Sequence, residues 1–167
     1  MAATSVQIEE TRSQAHDDAR QPRLVMQLTW SLVAGGSEMY AYTIAANLDS
    51  ARYYSFMCAL DQGGPLEPDI ENSGIPYLIM NRRPGLELSL MWRLYRLFRK
   101  HRPVVVHTHH FNQLFYSALG ARLAGACIVH TEHSVEYLKN RRYRIALRLL
   151  SVLCDKVIAI GNDGRRA

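Results

Sequence analysis

The chain has 167 residues, a formal net charge of +5 and a hydrophobic fraction of 48%, values that suit one soluble domain with a sizeable core. No apolar run approaches the roughly 20 residues needed to cross a bilayer, and the N-terminus lacks the apolar stretch of a secretory signal, so a cytoplasmic location is expected. Cys58, Cys127 and Cys154 are odd in number, widely spaced and set in apolar segments, which excludes a disulfide framework or zinc knuckle and predicts buried, reduced thiols.

Residues 1–22 are polar and hold four acids against two arginines. They cannot bury enough apolar surface to offset the entropy of ordering, and a disordered tail is expected there. The remaining body, 23–167, carries 18 basic and 11 acidic residues, a balance suited to anionic partners. Arg23–Trp30 reads as a first strand. The turn Ala34-Gly35-Gly36 follows, and a helix over Ser37–Leu48 with Ser37 as its cap. Glycine lets a ligand approach the backbone closely, and the free N–H groups of the helix start favour an anion. The turn is neither GxGxxG nor a P-loop, so alone it is an ordinary β–α connection.

Tyr53–Leu60 is the second strand, and Asp61–Pro65 a turn. Leu66–Asn72 makes a short helix and Ile75–Met80 a third strand. Leu88–His101 is the clearest helix, with Leu90, Met91, Leu94, Tyr95, Leu97 and Phe98 at helical spacing and Pro103 as its stop. Val104–Thr108 is a continuous apolar strand of the kind buried in parallel sheets. A helix over Phe111–Ala124, a fifth strand over Cys127–Thr131, a basic helix over Lys139–Leu153 and a sixth strand over Lys156–Ile160 complete the chain. This alternation predicts an α/β, Rossmann-like parallel sheet with helices on both faces. In the strand order 3-2-1-4-5-6 the binding crevice lies at the switch between strands one and four. The loops there are Ser31–Gly36 and His107–Asn112, with Glu132–Ser134 beside them.

Histidines gather at those strand ends: His107, His109, His110, His130 and His133. Two chemistries compete with a structural role. A metal-dependent hydrolase could use the His107/His109/His110 cluster, but the run His107-Thr108-His109-His110-Phe111-Asn112 lacks the acid and final histidine of an HxHxDH loop. Alternatively, the histidines hydrogen-bond a sugar or phosphate. Strand alternation puts His107 and His109 on one face and Thr108 on the other.

Five stretches in register carry a resemblance: Ala34–Glu38 (AGGSE), Gly63–Pro76 (GGPLEPDIENSGIP), Arg102–Asn112 (RPVVVHTHHFN), Ala121–His133 (ARLAGACIVHTEH) and Cys154–Asp163 (CDKVIAIGND). Together they resemble the N-terminal, acceptor-side domain of a GT-B glycosyltransferase, most like the family 4 retaining enzymes. The resemblance implies sugar transfer from a nucleotide-sugar donor to a saccharide or lipid-linked acceptor, with no cofactor and no metal. It implies that His133 and His109 are the catalytic pair, beside the donor sugar and the acceptor cleft respectively. It places Gly35, Gly36, Ser37, Glu38, His107 and Asn112 around the donor phosphate and acceptor. It also implies that the donor-binding C-terminal domain, with its E-x7-E motif, is missing from this polypeptide, so that the chain alone is not an efficient transferase. Gly161 stands where the family has a serine. The basic helices 88–102 and 139–153 suggest an anionic membrane surface as a further partner, which would make the protein peripheral at the inner membrane face. Nucleic acid is not expected, for want of a recognised fold or aromatic platform. A non-catalytic sugar- or nucleotide-binding module is the remaining alternative.

Overall fold

The computed structural model describes residues 22–133 and 140–160. Six strands form one sheet: β1 (Arg23–Thr29), β2 (Tyr53–Ala59), β3 (Tyr77–Ile79), β4 (Val105–His109), β5 (Cys127–Glu132) and β6 (Lys156–Ala159). Their order is β3-β2-β1-β4-β5-β6, and every neighbouring pair is parallel. This is the expected topology, with its switch between β1 and β4. Five helices join the strands: α1 (Gly36–Ala46), α2 (Glu67–Asn72), α3 (Leu88–His101), α4 (Phe111–Leu123) and α5 (Arg141–Ser151). The expected tail, the Gly161 position, Ser134 and Lys139 lie outside the described residues.

The sheet is buried on two faces by chemically different layers. On one face, Ala41 and Ala45 of α1 and Leu66 and Ile70 beside and on α2 close over Met57, Ala59 and Leu32. Alanine at both α1 positions lets that helix sit close to the strands. On the other face, Leu90, Leu94 and Phe98 of α3 and Leu114, Ala118 and Ala121 of α4 pack over Leu24, Met26, Leu28, Val106 and Ile128. The spacing of four along α3 is the stripe that its sequence shows. Arg93, on the flank of that stripe, pairs with Glu87 at 3.3 Å and also donates to the Met80 carbonyl, tying the helix start to the end of β3. The helix ends at Arg102, whose φ of 49° turns the chain into Pro103.

Two strand boundaries matter for the site. β4 runs one residue later than expected, through His109, and β5 runs through Glu132. Both extensions are pinned by ladder partners, since His109 registers with Thr131 and Glu132 with Ala159. The thiols correct the sequence reading: Cys58 is buried, but Cys154 is half-buried and Cys127 exposed. Cys127 opens β5 at the end of the strand remote from the switch point, where its neighbours Ala124 and Gly125 line an open surface cleft.

Candidate functional site

Parallel register sorts the polar residues at the carboxyl ends of β1, β4 and β5 onto two faces. Gln27 registers with His107, His107 with Val129, and His109 with Thr131. These residues share the α1 side of the sheet. Thr108 and His130 register together on the α4 side. On the α1 side His107 is buried, with Nε2 at 2.8 Å from Thr131 Oγ1, and its ring lies under that of His109 at 4.2 Å between centroids. On the α4 side Thr108 Oγ1 meets His130 Nδ1 at 2.8 Å. His107 and His130 are therefore interior histidines: His107 lies against His109, and His130 is engaged at Nδ1, while its Nε2 stands 3.7 Å from Glu132 Oε2 with no hydrogen-bond partner among the described residues.

His109 is fully buried, and both of its ring nitrogens are engaged. Nε2 lies 2.9 Å from Gln27 Oε1, and Nδ1 lies 3.2 Å from His133 Nε2. With the Gln27 carboxamide presenting its oxygen, which only accepts, His109 carries its proton on Nε2 and accepts at Nδ1 from His133 Nε2–H. The Gln27 amide nitrogen, buried, has no hydrogen-bond partner among the described residues. The relay ends on His133 Nδ1, a lone pair at the partly exposed end of the chain. Tyr40 of α1 sets the edge of its ring against both imidazoles, at 6.1 Å from His109 and 5.3 Å from His133. Helix α1, the glycine turn that starts it and the histidine pair thus form one wall.

The relay is electrically neutral. Burial, reinforced by the other histidines, holds His109 down to about 2 and His107 down to about 4, from the ordinary 6.5. His133 is also lowered, mainly by burial and then by His110, against the carboxylates of Glu132 and Glu38, which favour its charge. Unfolding exposes these rings, which then take up protons below pH 6.5, while the folded chain resists until far lower. Stability is therefore full above pH 6.5 and falls as pH drops toward about 4. The expected result is a urea midpoint that decreases steadily from pH 6.5 to 4.5, with a shallower slope in His107→Gln. A flat profile would contradict the neutral, buried pair.

The glycine turn differs from expectation in two respects. Gly35, not Ser37, is the N-cap, and no side chain caps the helix. Ser37 instead donates its hydroxyl to Glu38 Oε2 at 2.8 Å. Glu38 is buried, and its carboxylate folds back so far that a Cβ on Gly35 would sit 2.7 Å from Oε2. The first-turn amides have no intrahelical partners, as in any helix, and the Glu38 carboxylate lies against the Gly35 end of the turn. Gly36, by contrast, has open space where a Cβ would go.

His110 leaves the strand with φ of 82°, a left-handed conformation that a non-glycine residue rarely adopts. Its ring comes within 5.0 Å of the His133 ring, and its Nδ1 pairs with Glu132 Oε1 at 3.4 Å. Next to it, Asn112 lies in the first turn of α4 and lines a cavity of about 240 Å³ with Trp30, His110, Phe111, Gln113 and Tyr143. Among the described residues no group of three or more His, Cys, Asp or Glu side chains is placed to hold a metal ion. The HxHH run is divided: His107 is spent on Thr131, His109 on Gln27 and His133, and His110 on Glu132.

The family model described as Glycosyltransferase Family 4 matches residues 34–167. The chain belongs to glycosyltransferase family 4. A curated family relative is the Escherichia coli UDP-Gal:alpha-D-GlcNAc-diphosphoundecaprenol alpha-1,3-galactosyltransferase, 30% identical over 91 residues, which are 52% of this chain and 24% of that protein. Among solved structures, Anabaena HepE in complex with UDP and glucose superposes with a TM-score of 0.68 at 17% identity, covering 85% of this chain and 39% of HepE. A glycosyltransferase from Rickettsia africae gives 0.69 at 18% identity, covering 84% and 37%. The chain thus spans about a quarter to two-fifths of the length of these relatives, and at such identities the structures establish only the fold of this domain, a Rossmann-like parallel sheet like that of these glycosyltransferases.

Gln27, which precedes the matched residues 34–167, and Tyr40 within them complete the histidine site, and sequence reasoning missed both. Gln27 left a readable trace, being the one carboxamide in the apolar run RLVMQLT of β1. Tyr40 left none, since an aromatic on a helix that covers a sheet reads as core.

Proposed function

We propose that this chain is the acceptor-side half of a glycosyltransferase that moves a sugar from a nucleotide-sugar donor to a saccharide or lipid-linked acceptor, with no cofactor and no required metal. The observation that carries this reading is the neutral Gln27–His109–His133 relay, ending at His133 against Tyr40 of α1, the helix that the glycine turn starts, at the switch point. A neutral imidazole there accepts a hydrogen bond from a sugar hydroxyl and orients the ring against the leaving phosphate. The second wall of the cleft, with most nucleotide contacts, is supplied by a separate donor-binding domain. The galactosyltransferase relative, with UDP-Gal and a diphosphoundecaprenol acceptor in its name, supports a UDP-sugar donor and a lipid-diphosphate acceptor. The test is transfer of labelled hexose from UDP-galactose to a GlcNAc-diphospholipid by the protein expressed from its gene. Transfer that persists in EDTA is expected. Transfer that collapses with EDTA and returns with added Mn²⁺ would contradict the reading.

Such an acceptor requires a location at the bilayer surface, peripheral to the inner membrane face. No described helix is long and apolar enough to cross a membrane. The layer formed by α3, α4 and α5 contains no Asp or Glu in any of its three helices, whereas α5 alone carries Arg141, Arg142, Arg144 and Arg148. Among these cations stand exposed Leu88, Trp92, Leu119, Leu123, Ile145 and Leu149. Cations attract anionic headgroups, and apolar side chains partition beneath them. The chain is expected to sediment with vesicles of 30 mol% (about one-third) phosphatidylglycerol at low salt, each arginine near the surface adding about 1 kcal/mol. Replacing Arg144 and Arg148 with glutamate is expected to release it, and equal binding to neutral phosphatidylcholine vesicles would refute the electrostatic part.

A further inference from the structure

The cavity on the α4 side of the switch point is walled by three aromatic rings. Trp30 follows β1, Phe111 opens α4, and Tyr143 comes from α5. Phe111 and Tyr143 contact each other at 4.7 Å between centroids. Trp30 is held from behind by the Arg82 guanidinium, 4.7 Å from its ring centre, and Arg82 is itself 3.4 Å from Asp61. The polar lining consists of His110, Asn112 and Gln113. Gln113 is 1% exposed, and its Oε1 has no hydrogen-bond partner among the described residues. A buried acceptor without a donor calls for a partner from outside the described residues, and this one belongs to a side chain that lines the cavity.

These features select a class of ligand. The volume of about 240 Å³ is below the roughly 300–1,000 Å³ of sites for drug-sized ligands, so it suits one ring and not a whole nucleotide. Among the described residues that line it there is no Lys or Arg, which favours a neutral ligand over a phosphate. Aromatic walls meet the C–H face of a pyranose, whose hydrogens carry partial positive charge toward the negative face of the ring. The hydroxyl edge of the same pyranose supplies O–H donors for Gln113 Oε1. The left-handed backbone at His110, fixed by its N–H to the Thr131 carbonyl at 3.0 Å and by its side chain to Glu132, aims the imidazole along this cavity's edge. The His133 ring is 5.0 Å beyond.

We propose that this cavity seats a neutral pyranose of the acceptor, stacked between Trp30 and Tyr143 and read by Gln113, Asn112 and His110. The name "acceptor" rests on the sugar-transfer reading; the pyranose site itself does not. His110 and Gln113 are here positioning residues, which hold the acceptor ring next to His133.

Saturation-transfer NMR on the 167-residue chain tests the site, with methyl α-D-glucopyranoside, methyl N-acetyl-α-D-glucosaminide and uridine as probes. At least one glycoside is expected to receive saturation, with a Kd on the order of 1 mM. Tyr143→Ala and Asn112→Ala are each expected to weaken binding by about tenfold, and Gln113→Leu by more, because its hydroxyl partner loses its acceptor. Tyr143 and Asn112 lie at the open rim, so those variants decide the matter even if Gln113→Leu does not fold. Absence of transfer to both glycosides, unchanged binding in Tyr143→Ala, or a uridine signal that displaces the glycoside would overturn the proposal. In the transfer assay, an unaltered acceptor KM in Tyr143→Ala with active wild type would sink this site alone. Glycoside binding with no sugar transfer would sink the transferase reading alone.

Discussion

Replacing His133 with alanine is expected to lower kcat for sugar transfer by about 10²–10³-fold, the usual loss for one positioned acid–base or charge-stabilising group. His133 is the end of the relay and its only partly exposed member. Its Nε2–H is committed to His109, so its Nδ1 is the atom left to meet a substrate hydroxyl. The KM for donor should move little, because most nucleotide contacts are assigned to the other wall of the cleft. Gln27→Leu tests the same relay at its far end. With no carbonyl to receive the His109 proton, His109 can adopt the other tautomer and donate toward His133, which then loses its acceptor orientation. A tenfold drop in kcat with an unshifted unfolding midpoint is expected there. If His133→Ala retained wild-type kcat, the relay would be a core hydrogen-bond network and nothing more.

The second large effect is on folding. Gly64→Ala is expected to destabilise the chain by about 3 kcal/mol, at the upper end of overpacking costs. A Cβ at this position would lie 2.6 Å from the Leu32 carbonyl oxygen, 2.8 Å from its carbon and 2.9 Å from the Val33 nitrogen. All three are backbone atoms and cannot swing aside. They belong to the loop after β1, which is laced to the loop after β2 by Leu32 N–H to Gln62 O and Leu66 N–H to Leu32 O. Moving one loop therefore moves the turn that launches α1, and the site shifts with it. Gly36→Ala is the control: nothing lies within 4 Å of its Cβ and its φ is not left-handed, so it should be neutral or stabilising by up to about 1 kcal/mol. Chemical denaturation of both variants measures the difference, and equal midpoints would show that the two loops are free to separate.

Much of the fold was legible because the strands announce themselves by composition. The run Val104–Val106 that leads into β4 and the run LVM of β1 are apolar on both faces, as a central parallel strand requires, and helices alternate with these strands. Strand alternation also paired His107 with His109 correctly. What it did not show was depth and partners: both histidines are buried, His107 against Thr131 of the next strand and His109 against Gln27 and His133. The partner of His109 was out of reach for another reason. Gln27 is 82 residues away in sequence, and only the β1–β4 register brings it close. Ser37 misled because a serine beside a glycine turn is a common cap, whereas here Glu38 draws its hydroxyl and leaves Gly35 as the cap. Cys127 misled because an apolar neighbourhood in sequence is not a covered one in space.

The most direct test follows the ring nitrogens of His109 and His133 by long-range ¹H–¹⁵N NMR while UDP-galactose is titrated into the chain. The account predicts that at pH 6 His109 is neutral with its proton on Nε2, and that His133 Nδ1 shifts on titration with weak, millimolar-range affinity (on the order of 1 mM). A His109 that titrates near pH 6.5, or a His133 whose nitrogens stay still at saturating UDP-galactose, would contradict it.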